Sequence, residues 1–294
     1  VTRRGREGFI LVSVLGALIV LSGLVAAVSY LVRTAVIGAA SVRQELSTDV
    51  LTRSGIELAG YELFMLRRPA ALVNNQRVRM NDGVVTLYVR SEAGRIDLNA
   101  ASPELLAGLW SSIGAPGGMR PETFAARVID YRDEDSELSK NGGAEAAEYK
   151  AAGPTLQPAN APFEQVDDLQ YVLGVPSEAV RALAPVVTVH NPTGKLSAFD
   201  ASPAVLRALP GGSSLVDRIA TLRSRPPQDA EDGLEEALGD AAEFLTLEQK
   251  PIAFTVRVEI EREGARRSTD VTLVASRSPD ALYFVTDRLE RTSR

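Results

Sequence analysis

The chain has 294 residues, 45% of them hydrophobic, a formal net charge of −6 and no cysteine. That length accommodates an anchor plus one or two globular units, and the hydrophobic share is that of a folded chain rather than a disordered one. The acidic balance argues against a general nucleic-acid partner, which favours a basic face, and the absence of thiols excludes disulfides, zinc–thiolate sites and cysteine nucleophiles.

Arg3, Arg4 and Arg6 precede Gly8-Phe9, and the run from Phe9 to Val32 contains no charge. A helix needs about 20 apolar residues to cross a bilayer, whereas the core of a cleaved secretory signal has only about 7–15. Residues 9–32 are therefore expected to be a retained single-pass anchor, with the arginines on the cytoplasmic side and the remainder outside. The junction also resembles a type IV prepilin signal. That resemblance implies a leader, residues 1–8, removed between Gly8 and Phe9 by prepilin peptidase, with Phe9 then methylated. Most pilins carry Glu at the fifth mature position, where this chain has Ser13.

Helical character continues beyond the anchor. No proline occurs from Arg33 to Arg67, and Val36, Ala39, Ala40, Leu46, Val50, Leu51, Leu58, Tyr61 and Phe64 recur at helical spacing. Arg43, Gln44, Glu45, Asp49 and Arg53 occupy the other face, so an amphipathic continuation with one packing side is expected. A break into two helices near Gly38 also satisfies the pattern. The stripe, represented by Val36, Leu46 and Val50, is the expected partner interface.

Strands are expected at 83–90, after the Asn81-Asp82-Gly83 turn, and at 95–98. Further strands are expected at 252–262, 269–275 and 281–286, with a turn at Glu263-Gly264. Between them lies a mostly helical stretch with an internal repeat: GRIDLNAASPELLAGL at 94–109 aligns with GKLSAFDASPAVLRAL at 194–209. In each copy Ser caps a helix and Pro fills its first turn. Other helices are expected at 121–132, 163–173, 177–183 and 214–223, and the turn Val172-Leu173-Gly174-Val175 has a helix-hairpin-helix pattern. The expected fold class is α+β: a long N-terminal transmembrane helix and, as the prepilin resemblance implies, a pilin-like α/β domain with an antiparallel sheet. The sheet is interrupted by an inserted all-α (helix-hairpin-helix or SAM-like) domain. The expected divisions are 33–98 for the first part of the pilin-like domain and 99–193 for the insertion. Residues 194–294 then hold the second repeat and the closing strands.

Taken in order, these pieces resemble the K-type minor pseudopilins of type II secretion systems. The resemblance rests on the leader without Glu at mature position five, on GRIDLNAAS, on IDYRDEDSE, and on PANAPF followed by Asp168-Leu169. It implies a subunit at the tip of a short periplasmic pseudopilus, anchored in the inner membrane and working in protein export. Its partners would be the I- and J-type minor pseudopilins and the secretion platform. The missing carboxylate fits that position, because an unpaired acid in a membrane helix costs about 2.5–3.5 kcal/mol on insertion scales and a terminal subunit lacks one neighbour.

Asp130, Asp133, Glu134, Asp135 and Glu137 crowd one segment, and Glu145 and Glu148 follow Asn141-Gly142-Gly143. Such carboxylate density suits a hard cation, and a solvated acidic loop fits the residues as well. The family resemblance implies calcium there, with Asp130, Asp133, Asp135, Glu145 and Glu148 as the candidate ligands. No enzyme is expected. The one histidine, His190, stands at a strand exit, and Glu235 and Glu236 lie in an acidic helical run without a partner that would shift their pKa. The rival reading is a membrane-anchored DNA-binding protein, since IDLNAASPELL also resembles the helix-hairpin-helix modules of competence proteins. The acidic flanks of Gly174 (Asp167, Asp168 and Glu178) oppose it.

Overall fold

The computed structural model describes residues 5–224, 238–247, 251–262 and 264–292. The N-terminal arginines Arg3 and Arg4, the Glu235-Glu236 pair and Glu263 lie outside the described residues. Helix α1 runs unbroken from Gly5 to Gly60, passing Gly38 without a break, so the stretch is one helix rather than two. At about 1.5 Å per residue it extends roughly 84 Å. Its outer part, beginning at Leu11, is long and apolar enough to cross a membrane, with a mean hydropathy of 2.6 and none of that window buried in the protein. A π-helical turn, Tyr61–Met65, ends it, and the buried Glu62 there accepts from Arg68 Nη1 at 2.5 Å.

The expected single apolar stripe divides into two faces. Leu51, Ile56, Ala59 and Leu63 are buried, spaced by three to five residues, and form a core with the sheet. Val36, Leu46 and Val50 lie on the outward side and are 61%, 61% and 64% exposed. Tyr61 also faces outward, although the sequence pattern groups it with Leu51.

The sheet has five antiparallel strands in the order β1-β2-β7-β8-β9. They span Gln76–Met80, Gly83–Ser91, Ala253–Arg262, Ala265–Ala275 and Tyr283–Thr292. Alternation in β2, β7 and β8 sends Val85, Leu87, Val256, Val258, Val271 and Leu273 into the core under α1. Close approach is possible because α1 presents glycine there. A Cβ on Gly55 would come within 2.6 Å of Val258 Cγ1, and one on Gly60 within 2.1 Å of the Tyr283 ring. β1 was absent from the sequence expectation. Its pattern of Arg77 and Arg79 around Val78 has too little apolar content to read as a strand, and the ladder to β2 is what forms it. β8 and β9 extend beyond the expected 269–275 and 281–286 because a long hairpin ladder joins them.

Between β2 and β7 the chain forms a second core that runs from Ile96 to Leu245. It contains short helices α3 (Pro103–Ser112), α4 (Pro121–Arg132), α5 (Ala146–Ala152), α6 (Ser177–Leu183), α7 (Pro203–Arg207) and α8 (Gly212–Arg223). A four-residue helix, α2 (Ala70–Val73), precedes β1. The expected helix over 163–173 is instead a 3-10 turn at Val166–Tyr171, following Pro162 and closed by a Gln165–Asp168 capping box. Two short parallel strand pairs sit within this core: β3 (Ile96–Asp97) with β4 (Val187–Thr188), and β5 (Leu196–Ser197) with β6 (Leu245–Thr246). The division expected between residues 193 and 194 cuts through this core, since the second repeat packs with the first.

The repeat is structural as well as sequential. Ser102 Oγ accepts from Leu105 N, and Ser202 Oγ from Val205 N, each at 3.3 Å. Each half then closes on itself through an arginine. Arg132 at the end of α4 donates to the carbonyls of Leu98 and Ala101, and Arg223 at the end of α8 donates to those of Ala198 and Ala201. The halves meet reciprocally: a Cβ on Gly94 would lie 2.4 Å from the Asp200 carbonyl, and one on Gly194 would lie 2.9 Å from the Ala100 carbonyl. This is the contact pattern of a local pseudo-twofold.

One buried ion pair joins the helical core to the sheet. The Glu92 carboxylate, 1% exposed, accepts from Arg95 Nη1 at 2.7 Å and from Thr255 Oγ1 of β7 at 2.5 Å, while Arg95 also donates to the Ala184 carbonyl. Burial opposes ionisation of Glu92, but Arg95 and the hydroxyls of Thr188 and Thr255 outweigh it and hold its carboxyl below the ordinary 4.5. Glu92→Ala strands a buried guanidinium and is expected to cost about 3–5 kcal/mol in chemical denaturation. The double change Glu92→Gln with Arg95→Met is expected to cost less than that single change. Because the folded carboxyl titrates low, the pair's contribution is complete above the ordinary 4.5 and disappears only as pH falls through the lower folded value. A wild-type stability profile without an added acid-limb loss relative to Glu92→Gln would contradict this.

Candidate metal centre

The acidic segment leaves α4 and returns at α5. Asp130, fully buried, organises the loop: its carboxylate accepts from Ser139 N at 3.2 Å and from Ala144 N at 2.8 Å. Thr123 Oγ1 and Arg127 Nε hold the carbonyls of Asn141 and Gly142 at 2.7 and 3.3 Å. The closed loop brings Asp133, Asp135 and Glu145 together, each offering an oxygen within 4.8 Å of the others. Oxygens on opposite sides of a calcium ion, at about 2.3–2.6 Å each, are separated by about that distance.

Among the five candidate ligands the structure thus unites three. Asp130 is occupied with backbone amides, and Glu148 Oε2 accepts from Glu145 N at 3.0 Å as a helix cap. Of the three that converge, Asp133 and Glu145 are short of donors, whereas Asp135 Oδ1 accepts from Glu137 N at 2.8 Å. Both carboxylate oxygens of Glu145 and one of Asp133 are buried without a donor in good hydrogen-bond geometry, and the backbone amides at the start of α5, Ala146 among them, compensate Glu145 only in part. Burial raises both carboxyls, and neighbouring acids add to it: Asp135 and Asp130 for Asp133, and Asp130, Asp133 and Asp135 for Glu145. Buried carboxylate oxygens lacking donors, beside like charges, fit a bound hard cation.

Asn160 is a residue that the sequence reading missed. Its Nδ2 donates to the Asp135 carbonyl at 3.2 Å, and its Oδ1 is buried without a donor, so it presents a further neutral oxygen beside the acidic loop. The PANAPF motif contains it, but nothing in its spacing from Asp135 signals the contact.

The other candidates stand elsewhere. Gly8 and Phe9 lie within the helical backbone of α1. His190 approaches Asp287 at 3.8 Å, between the helical core and β9. At the Gly174 hairpin the Leu173 amide donates to the Tyr149 hydroxyl at 3.0 Å, and the Leu173 carbonyl accepts from Arg127 at 2.7 Å. These backbone groups are used inside the protein, whereas a DNA-binding hairpin turns its amides to phosphate.

The frame around this loop is a long apolar helix packed on an antiparallel sheet, with a helical unit between β2 and β7. Residues 71–192 match the family described as "Type II secretion system (T2SS), protein K". The fold is similar to that of a chain in "The Crystal Structure of the GspK-GspI-GspJ complex from enterotoxigenic Escherichia coli Type 2 Secretion System", with 18% identity and a TM-score of 0.63, over 86% of this chain and 99% of that one. No curated relative matches the sequence.

Calcium is expected to raise the melting temperature of the wild-type protein and a chelator to lower it, by about 2.7 kcal/mol of stabilisation at roughly a hundredfold excess over Kd. Asp133→Asn with Glu145→Gln should abolish that response, and Glu104→Gln should leave it intact. Because both folded carboxyls titrate high, protons compete for the site early on acidification. The calcium-induced shift is therefore expected to shrink before the pH reaches the ordinary 4.5 of Glu145. A melting curve unmoved by millimolar calcium would mean a solvated loop.

Proposed function

We propose that this chain caps the periplasmic pseudopilus of a type II secretion system, assembling with I- and J-type minor pseudopilins to initiate the filament that exports folded proteins. Supporting this is the division of α1 into two faces. The inner face is filled by the chain's own sheet, and the outer face, with Val36, Leu46 and Val50, remains exposed along a helix that leads into the apolar anchor. An uncovered apolar stripe of that length on a folded chain suits side-by-side packing with other anchored helices. The solved complex to which the fold is similar contains GspI and GspJ.

In this reading residues 99–193, with the second repeat, are an inserted helical domain within a pilin-like fold, held to it by Glu92 and Arg95. Prepilin peptidase cuts between Gly8 and Phe9 at the inner membrane and the rest of the chain enters the periplasm. Calcium, held by Asp133, Asp135 and Glu145, fixes the loop between α4 and α5. The role is structural and not enzymatic, without a nucleic-acid partner.

N-terminal sequencing of membrane-extracted protein is expected to begin at Phe9; retention of Val1 contradicts the processing step. Leu46→Glu or Val50→Asp should abolish co-purification with I- and J-type subunits while leaving the melting temperature within about 1 °C, as expected of exposed substitutions. Undiminished co-purification of both variants would refute the assigned interface.

A further inference from the structure

The two edges of the sheet are finished differently. β1 is short, and its outward side chains are Arg77 and Arg79, the kind of charge that keeps another strand from pairing. β9 is ten residues long, Tyr283–Thr292, and contains neither proline nor glycine. Its Phe284, Val285 and Leu289 are 53%, 47% and 62% exposed. Of its charged residues, Arg288 reaches toward Asp49 of α1 at 3.7 Å and Asp287 toward His190 at 3.8 Å, and Glu290 and Arg291 follow only at the end of the strand, beyond the exposed apolar residues. A register shift opposite Thr272/Leu273 divides the strand, and exposed apolar residues remain on both sides of it. Among the described residues no strand lies beyond β9.

The surroundings of β9 extend the proposed interface. Tyr283 donates to Glu57 Oε2 at 3.0 Å and Arg288 reaches Asp49, so the flank of α1 beside β9 is the one that carries Val50. The α1 stripe and the β9 edge therefore form one uncovered surface.

We infer that β9 is a docking edge that receives an extended segment of an anchored partner subunit as a sixth strand of the sheet. This rests on the minor-pseudopilin reading. Main-chain hydrogen bonds would supply the attachment. Apolar side chains at alternate positions would meet Val285 on one face and Phe284 and Leu289 on the other. A second copy of this chain does not fit. Two identical edges pair only antiparallel, about a twofold perpendicular to the sheet. That operation reverses α1, which lies flat on the sheet, and sends the two anchors in opposite directions. A neighbour with a different sequence carries no such constraint.

The test is hydrogen exchange on the full-length chain in detergent, alone and after co-expression with I- and J-type pseudopilins. Amides of 283–292 are expected to exchange about tenfold more slowly in the complex, with those of β1 unchanged. Val285→Lys with Leu289→Lys should melt like the wild type and bind about tenfold more weakly. A complex that forms through α1 while β9 exchanges as in the free chain overturns the docking edge and leaves the functional reading standing. Protection of β9 in the isolated chain through self-association overturns the choice of occupant. If the wild-type chain forms no complex at all, the functional reading fails and the edge assignment fails with it.

Discussion

Everything in this fold depends on how α1 is shared among three environments. One end is long and apolar enough to cross a membrane, one face seals the sheet, and the remaining face stays exposed. The sheet contact is possible because Gly55 and Gly60 let β7 and β9 approach the helix backbone within the radius of a side chain. Around them Leu51, Ile56, Ala59 and Leu63 close on Val85, Leu87, Val258 and Leu273, which removes enough apolar surface from water to fix the helix in one rotation. That rotation decides which residues face outward. The exposed stripe is therefore a consequence of the core, not an independent feature.

The helical unit between β2 and β7 is built on a second principle, duplication. Two copies of a strand, a capped helix and a second helix each close with an arginine on their own turn carbonyls, and they meet through reciprocal glycine contacts. Such a unit has its own core and needs only a stiff joint to the sheet. The buried Glu92–Arg95 pair, bonded to Thr255 and to the Ala184 carbonyl, is that joint. A buried pair is costly to desolvate but directional, which suits a connection that must set an angle. The acidic loop is held from the first half, with Asp130 as its internal clamp.

Much of this was legible in the sequence because the signals were local. Ser102-Pro103 and Ser202-Pro203 announce helix starts, alternation marks β2 and β7, and an uncharged run marks the anchor. What escaped detection depended on long-range partners. β1 exists because β2 offers it a ladder, and β9 is long because β8 is. The stripe on α1 looked like one face because helical spacing alone does not say which apolar residues meet the sheet; Leu51 is buried and Val50 is not. In the acidic loop, composition identified the segment where carboxylates converge but not which of them converge. Asp130 and Glu148 have the same chemistry as Asp133 and Glu145, and only the fold shows that backbone amides already occupy them. Asn160 enters from a separate segment and leaves no trace in the spacing.

The central claim is that one face of α1 belongs to the chain itself and the opposite face to partner subunits. The chain contains no cysteine, so single cysteines report position without background. The most direct measurement places one at Val50 and another at Ala59 and compares their crosslinking to I- and J-type subunits in intact membranes. The account predicts a partner adduct from position 50 and none from the fully buried position 59. Equal capture from both positions, or none from position 50 while the partners are present, would contradict it.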